Sequence, residues 1–181
     1  MCMGVMAGMV SMVSVHVTRD SVCMGDDCFD NSRDFMLDGT LDWGGFMSVM
    51  LNGHFLPNVS GNDVVWVLTD IRGMELFTYF TKEEMLISHT ADRGLAAFLE
   101  HGAGLHFKYY ASREQRRGAL YDRFGGQMFH LWHDGWLDEY KLLCGEEVKT
   151  GQMVVIPHPD KRGGKLCGLA RGLMEKIGLR R

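Results

Sequence analysis

The sequence predicts an α+β fold that opens with a β-grasp-like ββαββ unit, and three observations carry that expectation. Residues 64–68 and 76–80 are β-branched, aromatic or aliphatic, the composition of strands buried on at least one face. Asp70-Ile71-Arg72-Gly73 joins them with Asp first and Gly last, as a type I turn prefers, so the two stretches read as a hairpin. Upstream, VSVHVTRDSV (13–22) sets Val13, Val15 and Val17 against Ser14, His16 and Thr18, the period of two of a half-buried strand, with His16 an ordinary surface histidine. Between these regions Trp43, Phe46, Met47, Met50 and Leu51 recur at three and four residues and make one apolar helix face. An edge hairpin as apolar as 64–80 would pair with other molecules, so further strands are expected on both sides of it.

Taken in order, residues 1–12 (MCMGVMAGMVSM) lack the basic start and A-x-A-like site of a secretory signal and read as a flexible lead-in, with Met12 an alternative start. After the first strand, CMGDDCFDNSRD (23–34) concentrates Asp, Asn, Gly and Ser, a loop composition. Residues 35–41 read as a second strand with a turn at Asp38-Gly39. Thr40 or Asp42 caps the helix and Gly53 ends it. Gly44-Gly45 inside it costs about 1 kcal/mol per residue relative to Ala, which implies close packing there. A short strand, 85–89, follows the hairpin and completes a unit spanning 13–89.

The second half, 90–181, continues with a helix at 91–100 and a strand at 105–110. A helix at 113–124 runs from the S-x-x-Q capping box of Ser112 and Gln115 to Gly125-Gly126. A second hairpin is expected from 128–133 and 136–143 about Asp134-Gly135, then a strand pair over 147–157 about Thr150-Gly151 and a closing helix at 166–179. The halves are expected to pack as one compact unit.

With 181 residues and 46% hydrophobic content the chain can bury a real core, and no run of about 18 apolar residues is present to cross a bilayer. Five cysteines at unrepeated spacings indicate reduced thiols and a cytoplasmic protein. The net charge of −4 conceals an asymmetry: residues 1–100 hold 5 Lys/Arg against 14 Asp/Glu (−9), whereas 101–181 hold 14 against 9 (+5).

Chemistry-bearing patterns are sparse. There is no G-x-S-x-G, the Gly-Gly pairs at 44, 125 and 163 match no phosphate loop, and no cofactor is expected. The aspartates around Cys23 and Cys28 would raise, not lower, a thiol pKa. Asp26, Asp27, Asp30 and Asp34 miss the calcium-loop spacing; as a cluster they are either a solvated loop or a docking site for a basic partner. Lys161, Arg162, Lys165 and Arg171 form a basic counterpart able to touch phosphate, without the aromatic residues that would stack on bases. His130, His133 and Asp134 are the first residues a metal site or metal-dependent hydrolase would use, but on a strand two residues three apart point to opposite faces.

The expected function is therefore non-enzymatic binding of a protein or nucleoprotein with a basic surface. An inhibitor or regulator of a nucleic-acid enzyme fits, because a carboxylate cluster can occupy a channel built for phosphates. An anti-CRISPR-type protein of a phage or mobile element is one special case, and metal binding is the alternative of another class.

Overall fold

A computed structural model describes residues 11–22, 31–57, 59, 63–90, 94–95, 98, 104–124, 135–148 and 151–154. Along the chain these form β1 (Met12–Arg19), β2 (Ser32–Asp38), α1 (Trp43–Asn52), β3 (Val65–Asp70), β4 (Glu75–Phe80), β5 (Met85–Ser88) and β6 (Gly104–Tyr110). Then come α2 (Arg113–Phe124), α3 (Trp136–Leu143) and the two-residue β7 (Gln152–Met153). The strands build one mixed sheet of seven, ordered β2-β1-β6-β3-β4-β5-β7, in which β1 and β6 are parallel and every other pair is antiparallel. Strands 13–89 do not close on themselves: β6, from the second half, lies between β1 and β3.

The predicted hairpin is central, as its composition requires. Every residue of β3 and β4 is buried, and alternate side chains of β3 enter two separate cores. Trp66 and Leu68 face α1, where Trp43, Phe46, Met47 and Met50 pack with Phe77, Leu105 and Phe107. Val65 and Val67 face the other way, toward Phe80, Ile87, Leu120 of α2 and Leu142 and Leu143 of α3. Each such side chain contributes roughly 1.5–3 kcal/mol by leaving water, so the helices are held chiefly by these two apolar faces. The β3–β4 turn forms as read: Asp70 accepts from the backbone N–H of Arg72 at 2.9 Å and of Met74 at 2.8 Å, and Gly73 has φ 79°.

Asp42 caps α1, its side chain accepting from Gly45 N–H at 2.7 Å. The close packing expected at Gly44 is against Gln152 of β7, whose amide donates to Asp42 at 3.0 Å; a Cβ on Gly44 would collide with it. Helix α2 starts at the predicted capping box, with Ser112 Oγ accepting from Gln115 N–H at 3.2 Å. Of the helix expected at 91–100, Leu95 and Phe98 are described, helical and buried.

Three expectations are corrected. Residues 136–143 are helix α3, not the second arm of a hairpin: Glu139, Leu142 and Leu143 are buried at helical spacing, and Gly135, at φ 79°, begins the helix instead of turning a hairpin. Ser32, Arg33 and Asp34 belong to β2, because pairing with Thr18, Val17 and His16 of β1 satisfies backbone groups that loop-forming side chains alone would leave to water. Gln152 and Met153 pair with Leu86 and Met85 of β5, while Glu147 and Val148 lie outside any strand. The closing helix expected at 166–179 lies outside the described residues.

Candidate functional site

Of the residues singled out in the sequence, Asp34 is described. It stands on the edge strand β2, exposed, with Oδ1 2.7 Å from His16 Nδ1 on β1. Asp26, Asp27 and Asp30, the basic Lys161, Arg162, Lys165 and Arg171, and the metal candidates His130, His133 and Asp134 lie outside the described residues. Among the described residues no three His, Cys, Asp or Glu side chains are grouped so as to hold a metal ion.

Two constellations that the sequence reading missed emerge on the sheet face opposite α1. The first is buried beneath α2 and α3. The Arg116 guanidinium, 1% exposed, grips two carboxylates, donating to Glu139 at 2.7 and 3.2 Å and to Glu75 at 2.6 and 3.2 Å. His89 Nε2 lies 3.0 Å from Glu139 Oε2 and 3.0 Å from the Thr78 hydroxyl, and its ring stacks on Trp136 at 3.8 Å. Arg123 closes the outer side, donating to Glu75 at 2.8 Å with its guanidinium over the Trp136 ring. Two guanidiniums thus balance two carboxylates.

Burial alone would push the Glu139 carboxyl up, but the charge of Arg116, with His89 adding to it, holds it down at about 2. For Arg116 burial favours the neutral form, and the two carboxylates outweigh it, raising the pKa above its ordinary value. Both partners are therefore fixed in their charged forms. The cluster clamps α2 and α3 to β4, with Arg123 on its solvent-facing side. The signal in the sequence is a charged residue standing in an apolar stripe: Arg116 lies four before Leu120, and Glu139 lies three after Trp136.

The second constellation is open. Parallel pairing aligns Thr18 of β1 with His106 of β6, and the Thr18 hydroxyl lies 2.7 Å from His106 Nδ1. The opposite ring nitrogen, Nε2, lies 3.0 Å from Asp20 Oδ1. Asp20 is itself held: Oδ2 accepts from the Tyr109 N–H at 2.9 Å, and its own N–H donates to the Phe107 carbonyl at 2.9 Å. His16 with Asp34 stands beside this line, and Met12 and Met36 on the same two strands are exposed, Met36 at 55%. Sequence pattern puts Asp20 and His106 on separate strand stretches, and they come together only through the parallel pairing of β1 with β6.

No family model, curated protein or solved structure matches this chain, so a functional reading rests on its own geometry.

Proposed function

We propose that the protein acts by binding a macromolecule with a basic surface, and that the partner docks on the β2-β1-β6 side of the sheet and is also met by the Asp-rich sequence 23–34. One observation carries this reading. Helices α2 and α3 roof the face over β3, β4 and β5, whereas over β2 and β1 the same face presents Asp34, His16, Met12 and Met36 to solvent. Mixed carboxylates and methionines suit a partner that brings Lys or Arg with apolar stems. Asp34 and its neighbour Arg33 on the edge strand also discourage indiscriminate strand pairing there, leaving side-chain recognition as the mode of contact.

The charge division, −9 over residues 1–100, gives the encounter its steering field. A regulator or inhibitor of a nucleic-acid enzyme, acting in the cytoplasm by occupying a phosphate-binding channel, is the class of activity proposed. The basic residues at 161–171 are proposed as a secondary contact to nucleic acid held by that partner. A β-grasp-like core also belongs to this reading; in its support, β1 and β6 are parallel neighbours and α1 packs across one face.

Parallel affinity capture from a lysate of the source cell, with wild type and Asp34→Lys, tests the proposal. The expected result is a basic partner retained by wild type, released by raising the salt, and lost with Asp34→Lys. A partner held equally by both proteins and insensitive to salt would overturn it.

A further inference from the structure

The line Asp20–His106–Thr18 has the parts of a nucleophilic catalyst, and it does so independently of any docking reading. A weak nucleophile becomes active when a base lies within hydrogen-bond reach and a third group orients that base. Here the hydroxyl-to-imidazole distance is 2.7 Å and the imidazole-to-carboxylate distance is 3.0 Å. With Nε2–H donating to Asp20, the neutral ring presents a lone pair on Nδ1 to the Thr18 O–H. Asp20 is in turn fixed by the Tyr109 amide, so the ring has no reason to flip. The Thr18 hydroxyl also has the Leu105 carbonyl oxygen within reach at 3.4 Å. The site is reachable, since the His106 and Asp20 side chains are 35% and 44% exposed.

The geometry points to an acyl-transfer site in which Thr18 Oγ1 is the nucleophile, His106 the general base and Asp20 the positioning residue, acting on small activated carboxylic esters. Thr18 Oγ1 bonds to the ester carbonyl carbon as its proton passes to His106 Nδ1. The carbon–oxygen bond to the leaving alcohol then breaks, and that alcohol departs with the proton from His106. Water, deprotonated by the same nitrogen, cleaves the Thr18 ester to a carboxylic acid and restores the hydroxyl. No oxidant or metal enters the balance.

Incubating the full chain with p-nitrophenyl acetate, then mapping the acetyl group by peptide mass spectrometry, tests this. Acetyl on Thr18 is expected, with p-nitrophenolate release slowed about 100-fold in His106→Gln. Because the wild-type map needs no variant to fold, acetyl found on lysines alone, or none on Thr18, overturns the proposal. So does a His106→Gln protein that keeps its helical and sheet circular dichroism yet acetylates Thr18 at the wild-type rate.

Discussion

His89 with Glu139 and His106 with Asp20 are the same chemical pair, each 3.0 Å apart, set in opposite surroundings. The first is sealed between β4, β5, α2 and α3, stacked on Trp136 and locked by Arg116. The second lies on the face of β1 and β6 and is a third or more exposed. The difference teaches that environment, not residue type, decides what such a pair does. Desolvated and saturated with partners, it fixes the position of two helices. Left within reach of water, it contributes little to stability and is available for recognition or proton transfer.

The contrast is most easily broken at Arg116. Replacing Arg116 by Met leaves Glu75 and Glu139 buried beside no guanidinium but that of Arg123, and a loss of about 3–5 kcal/mol is expected in urea denaturation. Adding Glu75→Leu and Glu139→Leu removes the orphaned charges and should recover most of that loss. A single variant as stable as wild type would show the clamp to be inert.

Acid should separate the two pairs next. Glu139 is depressed to about 2 in the folded state, so its contribution is fully present above the ordinary carboxylate range and is lost as pH falls toward about 2. A decline on the order of a few kcal/mol over that window is expected for wild type, and a shallower one for Glu139→Gln measured from its own lower plateau.

A smaller effect is expected where α3 meets β5. Gly135 has φ 79°, and a Cβ there would run into the Ser88 carbonyl oxygen, so Gly135→Ala should cost roughly 1–3 kcal/mol by tilting α3 off its clamp. The smallest effect belongs to the open face. Asp34→Asn removes a pair whose side chains are 73% and 52% exposed and should move stability by less than about 0.5 kcal/mol while weakening partner capture.

Much of the fold was legible because local rules and tertiary context agree. The β3–β4 hairpin, the Asp42 and Ser112 caps and the apolar stripe of α1 all follow from residue type and spacing. Where they compete the reading failed. Asp134-Gly135 is a strong hairpin dipeptide, but the burial of Glu139 against Arg116 and of Leu142 and Leu143 against Val65 and Val67 favours a helix in 136–143. The open site was illegible for another reason. Thr18 and His106 are 88 residues apart, and only the parallel register of β1 on β6 makes them neighbours.

The sealed and open settings are compared most directly by carbethoxylation of the native protein with diethyl pyrocarbonate, followed by peptide mapping of each histidine. His16 and His106 are expected to react in the folded state, whereas His89, whose side chain is 1% exposed, should stay unmodified until denaturant unfolds the chain. Modification of His89 in the native protein at the rate of His106 would contradict the division between a clamp and an open site.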